Sequence, residues 1–557
     1  MAEAITEMII PGTYIEVRAE GLIGVSGIAT GNVGVAGTAN KGPVGEAIVL
    51  SSFSEAKETF GNYDAWKGGG PTENELTLVR ALQQIFNNGG STVYAVRVGN
   101  NEDLAAAKID LTDANETVAT VSGVTPGTWA NDVTVEVKAA ASAGFIEEDK
   151  QSVTAAALKP LHKNIATSAR NVVKITKITT GKTVRLSLKT SGNPVSGKSA
   201  VVDPATGVLS FHADDTPADG DTLVASYEVA TASSREIEIV YKNLKETYIV
   251  ADATDMARDI NSSSSLVRVT IPVGAEAKVP DNPKIPTLLA NGSDGEKATG
   301  SNYKDGLDVL DSEPVNIVVL AGRNVTDGGA DLQAHVETAE NNGRDRIAVV
   351  GADKDDVSEV SANADTVSDD RLILVAPGIK AQDIALGVEV SLPAAYAAAA
   401  VAGVIASLAV HVSPTNKVLR VPGLTTYYSD GELKKLLGNR VMPLEKKAGY
   451  RIVKGITTDD AAFRQVSVRR IVDFAKAGTR IGSNPYIGRL NNTRVRGALK
   501  ATLNGFLSDM VLNEALTEYT LDVTATREQE IVGVAVVTMF LKPTFSIDYI
   551  KVIMNLS

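Results

Sequence analysis

The sequence contains one match to a known phosphate-binding motif. Residues 192–199, GNPVSGKS, satisfy the pattern in which loop amides and a lysine hold nucleotide phosphates. That loop normally follows a strand and precedes a helix, because the helix N-terminus helps to bind the phosphates. Here the following residues, AVVDPATG, predict a strand and a turn, and Pro194 removes one amide donor. We therefore interpret the motif as a hairpin loop.

Other residues with catalytic potential are few. Cysteine is absent, which excludes disulfides, thiolate metal ligands and cysteine nucleophiles. The histidines, none at the spacing of a metal motif, are His162, His212, His335 and His411. Asp327 and Asp353 lie near strand ends, where aspartates commonly cap the next helix. We expect no catalytic residue, no metal, no cofactor and no enzyme activity.

The elements around these residues predict a multidomain α/β chain. Its length of 557 residues is typical of about three to five domains. Continuous apolar strands at 315–320, 346–350 and 371–375 alternate with helical segments near 330–341 and 355–365, which is typical of a parallel sheet covered by helices. The predicted parts are a 1–20 N-terminal arm, a 21–117 first part of an α/β core, a 118–250 inserted β-rich domain, a 251–410 central α/β domain, a 411–540 α+β C-terminal domain and a 541–557 C-terminal arm.

Three segments decide between structural classes. Residues 118–250 are rich in Thr, Val and Ser with regular turns, and predict an all-β unit. Residues 393–410 are long and apolar enough to raise the question of a membrane span, but their alanines favour a closely packed core helix. Amphipathic helices are predicted at 463–476 and 493–519. The N-terminal residues lack the features of a signal peptide, so we expect assembly in a bacterial cytoplasm.

A two-faced strand is predicted at each end of the chain, where no neighbouring segment offers a partner. The residues of the first are Thr13, Tyr14, Ile15 and Val17, and those of the second are Phe545, Ile547, Tyr549, Ile550 and Val552. A strand without a partner leaves backbone N–H and C=O groups unpaired, and these favour pairing with another sheet edge.

Charge is unevenly distributed along the chain. Residues 411–557 contain 21 Lys and Arg against 13 Asp and Glu, a net charge of +8, whereas the whole chain carries −13. Either the composition changes between domains, or the C-terminal part presents a basic surface to an acidic partner. The basic residues are not interleaved with aromatics, so we expect no nucleic-acid partner.

The order of several motifs resembles the tail sheath proteins of contractile-tailed bacteriophages and related contractile injection systems. The N-terminal marks are PGTYIEVRAEG, GVAGTANKGPVGEAIVLSSFSEAKETFG and LTLVRALQQIFNNGGSTVYAVRV. Later marks are GTWANDVTVEV, NGSDGEKATGSNYKDGLDVL and the ending EIVGVAVVTMFLKPTFSIDYIKVIMNL. The resemblance implies a central subtilisin-like α/β core; the protease phrase Gly-Thr-Ser-Met-Ala is missing, so the core would be non-catalytic.

The resemblance also implies a function. It implies a structural subunit that forms stacked hexameric rings around a tail tube and contracts to drive the tube through the target cell envelope. The implied partners are other copies of the chain through arm exchange, the inner tube protein, and baseplate and tail terminator proteins, without membrane insertion. The implied location is the virion tail. Arg494, Arg496 and Lys500, on one predicted helix, are the candidate tube-facing residues.

Several alternatives remain open from the sequence. The same subunit would suit a phage tail, a phage-like bacteriocin or an extracellular contractile injection particle. A P-loop NTPase and a cell-surface adhesin are rivals from other classes, suggested by residues 192–199 and by the β-rich insertion. Binding of nucleotide that is lost on Lys198→Ala would favour the first of these rivals.

Overall fold

The computed structural model describes residues 27–67, 76–154, 158–281, 285–295 and 298–555. The chain divides into two compact units, one made of the residues up to Asn100 and from Lys297 on, the other of Asn101–Glu296. The predicted borders of the β-rich insertion, 118 and 250, both fall inside the second unit. The predicted N-terminal strand residues Thr13, Tyr14, Ile15 and Val17 lie outside the described residues.

The first unit begins with a small α/β segment. Its elements are β1 (Val33–Thr38), β2 (Ala47–Leu50), α1 (Phe53–Phe60), α2 (Leu78–Asn87) and β3 (Val93–Val98). The Ser52 hydroxyl accepts a hydrogen bond from the Glu55 amide and caps α1. α2 and β3 lie within residues 21–117, the segment predicted as the first part of the α/β core.

The second unit is built almost entirely of strands. Its elements are β4 (Leu104–Ala105), β5 (Lys108–Asp113), β6 (Glu116–Gly123), β7 (Thr134–Ala139), β8 (Gly144–Ser152), β9 (Val172–Thr176), β10 (Thr183–Lys189), β11 (Ser199–Val202), β12 (Leu209–Ser210), β13 (Thr222–Val229), β14 (Arg235–Tyr241), β15 (Leu244–Val250), α3 (Ala253–Ser263), β16 (Val267–Thr270), β17 (Thr287–Leu288) and β18 (Ser293–Asp294). They form sheets in the orders β12-β11-β10-β9-β13-β8, β15-β14-β7-β17, β16-β6-β5 and β18-β4.

These pairings explain why the insertion is longer than predicted. β6 pairs with β5 on one side and with β16 on the other, and β4 pairs with β18. The strands just outside residues 118–250 are therefore tied to the insertion by ladders, which residue composition does not reveal. Residues 251–290, predicted to return to the core, belong to this unit.

The first unit resumes after the insertion. Its remaining elements are α4 (Gly300–Asp311), β19 (Ile317–Leu320), α5 (Ala330–Asn341), β20 (Ile347–Gly351), α6 (Val357–Asp365), β21 (Leu372–Ala376), β22 (Ile379–Asp383), β23 (Val388–Leu392), α7 (Ala394–Ser407), β24 (Val418–Leu419), β25 (Gly423–Leu424), α8 (Asp430–Gly438), β26 (Met442–Lys446), β27 (Tyr450–Ile452), α9 (Val466–Ser483), α10 (Thr493–Leu512), β28 (Leu516–Thr524), α11 (Arg527–Ile531) and β29 (Val536–Pro543).

A nine-stranded sheet organises this unit, in the order β2-β3-β1-β19-β20-β21-β26-β27-β24. The six strands from β3 to β26 run parallel, as predicted for the central strands. Alternate residues enter two separate cores: Val319 packs with α2 and α7, and Val318 packs with α4, α5 and α6. Both faces are therefore covered, so the strands read as continuous apolar runs. The subtilisin-like character of this core stays a prediction.

Two predictions about the sheet are sharpened by its topology. β24, β26 and β27 join this sheet, so residues up to 452 belong with the core and not with the C-terminal domain that was predicted to begin at 411. α7 is almost wholly buried, as predicted, and Gly403 lies so close to the Ile85 carbonyl of α2 that a Cβ would clash there. Of the helices in the described residues, none is both long and apolar enough to cross a membrane.

The C-terminal part packs two long helices against a two-stranded ribbon. The Phe506 ring of α10 occupies the space beside Gly478 of α9 where a side chain would otherwise stand. α10 ends seven residues before the predicted limit, because the chain turns at Glu514, with φ of 61°, and enters β28. β29 ends at Pro543, whereas the sequence predicted a strand continuing towards residue 556.

Candidate assembly surfaces

The phosphate-loop match lies in an unsuitable setting. Residues 192–199 connect β10 to β11, and these strands pair in parallel, so the predicted hairpin was wrong. No helix follows the loop, as the sequence had indicated. The Gly197 amide donates to the Asp215 carboxylate at 2.7 Å, and the Ser196 hydroxyl donates to Asp214 at 2.9 Å. Because carboxylates already accept from these donors, an entering phosphate would meet negative charge.

The other residues with catalytic potential have structural partners. Asp353 accepts hydrogen bonds from the Thr326 amide at 3.2 Å and from the Asn363 side chain at 2.7 Å. His335 is buried and accepts from the Arg346 guanidinium at 3.0 Å. Among the described residues, no group of three His, Asp or Glu side chains is arranged to hold a metal ion.

α9 is attached to the core by a cluster of four acids and four bases, which we call the ionic joint. Its members are Glu340, Asp345, Asp370, Arg371, Arg469, Asp473, Lys476 and Arg480. The Arg371 side chain is 2% exposed and donates to Glu340, Asp345 and Asp473 at 2.8–2.9 Å. Arg469 donates to Asp370 at 2.8 Å and to Asp473 at 2.7 Å.

The joint shifts the titration of its carboxyl groups in opposite directions. Hydrogen bonding to Arg371 lowers the pKa of Glu340 to about 2, and Lys476 acts in the same sense. Burial raises the pKa of Asp473 above its ordinary value, although Arg469 and Arg371 oppose this. The side chains of Arg371 and Asp345 are each 2% exposed, and charged groups this deeply buried are tolerated only when they are paired, so both depend on their partners in the joint.

The last described residues of the chain expose apolar side chains. Residues 545–555, here called the exposed arm, continue from β29 in extended form without joining a described strand. Its large apolar side chains are 62–84% exposed, and they are Phe545, Ile547, Tyr549, Ile550, Val552, Ile553 and Met554. Such a continuous apolar surface is typical of a protein interface. The structure thus places all five predicted C-terminal arm residues together in solvent.

The polarity of the exposed arm is inverted relative to an ordinary edge strand. Asp548 and Ser546 face the body of the unit, where Asp548 pairs with Lys454 at 3.1 Å and Ser546 contacts Gln465 at 3.4 Å. Phe545 and Ile547, which alternate with them, face solvent. An arm that folded back for its own stability would bury the apolar face instead.

The ribbon that carries the exposed arm also has open edges. β28 and β29 pair antiparallel from Leu516↔Pro543 to Thr524↔Val536, and no other described strand joins them. One face of the ribbon packs on α9 and α10 through Leu516, Leu521 and Met539. The outer edges leave backbone groups available for a further strand.

The three predicted basic residues differ in their surroundings. Arg496 is 13% exposed and pairs with Glu530 at 2.9 Å, and Lys500 pairs with Asp522 at 3.1 Å. Arg494, at the start of α10, is exposed. Thus two of the three cations are already engaged within the subunit, and Arg494 is the one best placed to meet a partner. Their role towards a tube stays a prediction.

The sequence analysis missed an apolar surface beside these residues. We call it the apolar rim; its residues, 72–78% exposed, are Ile487, Leu490, Ile531 and Val532. Ile487 and Leu490 line a groove of about 420 Å³ between the loop before α10 and the turn after α11, and Ile531 and Val532 directly precede the groove residue Gly533. The Asn491 amide donates to the Val534 carbonyl at 2.9 Å and ties these segments together. Loop residues have no periodicity, so no pattern in the sequence indicates this surface.

The comparisons with known proteins agree on one family. Residues 296–458 match the model of the phage tail sheath protein central domain, and residues 458–557 match that of the phage tail sheath C-terminal domain. The tail sheath protein of Bacillus phage SP01 is 24% identical over 548 residues, with 91% of this chain and 89% of that protein covered.

Two solved structures share the fold. The sheath tail protein of Listeria innocua superposes with a TM-score of 0.59 at 14% identity, over 94% of this chain and 93% of that one. The sheath tail protein of Desulfitobacterium hafniense gives a TM-score of 0.57 at 14% identity, over 96% of this chain and 100% of that one. At this identity the likeness is one of fold.

Proposed function

We propose that this chain, whose residues 296–557 match the phage tail sheath family models, is the structural subunit of a contractile sheath. The resemblance drawn from the sequence is thereby confirmed. In the proposed assembly, hexameric rings of the chain stack around an inner tube. Contraction of the stack drives the tube through the target cell envelope, and the subunit itself catalyses no reaction.

The observation that carries this proposal is the exposed arm. A folded subunit that holds seven large apolar side chains in water would gain about 1.5–3 kcal/mol for each one that a partner fully buries. The arm is extended and its backbone is unpaired with any described strand, so it is suited to strand addition. A second copy of the chain offers a matching acceptor, because the β28–β29 ribbon has open edges.

Strand addition of this kind generates a polymer and not a closed pair. The arm and the ribbon edge are different surfaces, so each subunit both gives and receives, and such head-to-tail contacts build rings or helices. The predicted strand at residues 13–18 would make a second connection of the same type. Each arm is covalently part of one subunit while it pairs with another. These connections would therefore persist while rings rotate and approach one another during contraction.

We place the contact with the inner tube at Arg494 and the apolar rim. The C-terminal part of the chain is basic overall, and an acidic tube surface would be attracted to it. Exposed charge contacts are weak and are screened by salt, which suits a surface that must release the tube. Baseplate and tail terminator proteins would occupy the two ends of the polymer, in a phage tail, a bacteriocin or an injection particle alike.

Deletion of residues 545–557 tests the proposal. The full chain should form tubular polymers that are visible by negative-stain electron microscopy, and the deletion variant should remain as folded subunits in sedimentation experiments. The deletion starts after β29, so the ribbon and its packing on α9 and α10 are preserved.

A matched control comes from an exposed apolar residue elsewhere. Val273 in the second unit is fully exposed, and Val273→Ser should leave polymer formation unchanged. Long tubular polymers formed by the deletion variant would contradict the role proposed for the exposed arm.

A further inference from the structure

The root of the exposed arm is held by a small polar cluster on its own subunit. The Lys454 ammonium lies 3.1 Å from the Asp548 carboxylate, and the Gln465 side chain donates to the same carboxylate at 3.3 Å. Gln465 also accepts from the Ser546 amide and hydroxyl, each at 3.4 Å. We call these four residues the clasp.

The clasp is partly withdrawn from solvent. The side chains of Lys454 and Asp548 are 18% and 10% exposed, so their attraction is screened less than that of a surface pair. Lys454 also lies over the Tyr549 ring, 5.1 Å from its centroid. Lys454 therefore contacts both a carboxylate and an aromatic ring of the arm, and these two contacts hold the start of the arm in a defined geometry.

The position of the clasp determines what the arm can present. The Thr544 amide donates to the Ala515 carbonyl at 3.1 Å, which is the last backbone bond linking the arm to the ribbon. The clasp follows at residues 546 and 548, the two alternate positions that face inward. With these held, Phe545 and Ile547 must point outward, since successive side chains of an extended chain alternate.

Beyond the clasp the arm makes few contacts with its own subunit. Among the described residues, no backbone hydrogen bond joins residues 550–555 to another segment. The clasp therefore lies at the boundary between the part of the arm that is fixed and the part that is available. A one-residue slip at this boundary would turn Phe545 and Ile547 inward and Ser546 and Asp548 outward.

We infer that Lys454 and Gln465, by holding Ser546 and Asp548, fix the register and exit direction of the exposed arm for pairing with a second copy of this chain. The inference rests on the arm exchange proposed above and adds the residues that position the arm. Without the clasp, the arm must be ordered at the moment of binding, and that loss of conformational freedom weakens association.

Polymerisation of the purified full chain tests the clasp. Asp548→Asn and Lys454→Gln should each raise the protein concentration needed for polymer formation about tenfold, because each removes a partly buried charged hydrogen bond. The exchange of both residues, K454D with D548K, should bring that concentration back to within about threefold of the wild type. Lys551→Gln removes a charge from the same arm outside the clasp and should have no effect.

The outcomes separate the clasp from the arm. Circular dichroism melts should be the same for all these variants, which shows that subunit folding is intact. Wild-type polymerisation by both single variants, while the 545–557 deletion still abolishes it, would overturn the clasp and leave arm exchange standing. Polymerisation by the deletion variant would overturn the proposed function itself. Failure of the charge exchange to rescue would show that the two residues do not act as a pair.

Discussion

The ionic joint, which links α9 to the core, and the exposed arm, which ends the C-terminal domain, follow opposite rules. In the joint, charged side chains that prefer water are buried, and each is neutralised by a partner. In the arm, apolar side chains that avoid water are held in it. The first arrangement is complete within one subunit and the second is not. The contrast teaches that this domain is fixed to its own core by paired charges, whereas its terminal arm keeps apolar side chains in solvent.

The difference also suggests how force would pass through the molecule. A neighbour that pulls on the exposed arm pulls on the β28–β29 ribbon, which packs on α9 and α10. α9 would then pass this force to the nine-stranded sheet through the ion pairs of Arg371 and Arg469. A joint of interlocking charges resists sliding, because any displacement would leave buried charges unpaired.

The largest effect is expected from removing the centre of the joint. Arg371→Ala removes from the buried carboxylates of Asp345 and Asp473 the cation that they share, and should lower the free energy of unfolding by about 3–5 kcal/mol. Urea unfolding followed by circular dichroism measures this. Lys354→Ala breaks the exposed pair with Glu359 and serves as the control, with a loss below about 1 kcal/mol. Equal losses in the two variants would remove the distinction between the joint and an ordinary surface pair.

The dependence of the free energy of unfolding on pH reports on the buried ionisable side chains. Burial and the neighbouring Arg346 lower the pKa of His335 to about 4. Between about pH 4 and pH 6.5 the His335 ring of the folded protein therefore stays neutral, whereas the same ring in the unfolded chain binds a proton. The free energy of unfolding should therefore fall by about 2–3 kcal/mol between pH 6.5 and pH 4. Below about pH 4.5 Glu340 adds a loss of the same sign, since its pKa in the folded protein is about 2.

His335→Gln is the matched variant for that series. A glutamine oxygen can accept from Arg346 but does not titrate, so the decline between pH 6.5 and pH 4 should become shallower by the His335 contribution. An unchanged slope in this variant would show that another group causes the decline.

Loss of an apolar side chain from the exposed arm should weaken polymer formation without changing the stability of the folded subunit. Ile550 is exposed in the subunit, and its burial by a partner would contribute about 1.5–3 kcal/mol. Ile550→Ser should raise the concentration needed for polymer formation about tenfold or more and leave the melting temperature unchanged. Sedimentation and thermal melts measure the two quantities. A lowered melting temperature with normal polymerisation would reverse the assignment.

The smallest effects are expected at the basic residues of α10. Lys500→Gln should change the free energy of unfolding by less than about 1 kcal/mol, because its pair with Asp522 is exposed. Arg494→Glu should weaken binding of the polymer to purified tube, and more so at low salt, since the exposed charge acts through solvent. Co-sedimentation with tube at two salt concentrations checks this. Tube binding that is equal for Arg494→Glu and wild type would exclude Arg494 from the contact.

Much of the local structure could be predicted from the residues alone. The helix at 330–341 is confirmed at the predicted bounds, and the alanine-rich run is the buried α7. Patterns of this kind depend on residues two to four positions apart, so they are present in the sequence itself. The absence of a helix after residues 192–199 could be seen in the same way.

The pairings between distant segments could not be predicted in this way. β10 and β11 pair in parallel across the loop that the sequence indicated as a hairpin, and β6 pairs with β16 across more than a hundred residues. Arg496 was predicted to face a tube, but docking of α11 places Glu530 beside it. Such contacts depend on how whole elements pack, and no local pattern contains that information.

The sequence by itself determined that residues 545–549 alternate apolar and polar side chains, that residues 550–554 are mostly apolar, and that the C-terminal part of the chain is basic. Only the tertiary structure decided that the polar side chains turn inward, because Lys454 and Gln465 stand where Asp548 and Ser546 arrive. Side-chain character is a property of each residue, but the direction that a side chain faces is set by partners brought close through folding, here about eighty to ninety residues away in the chain.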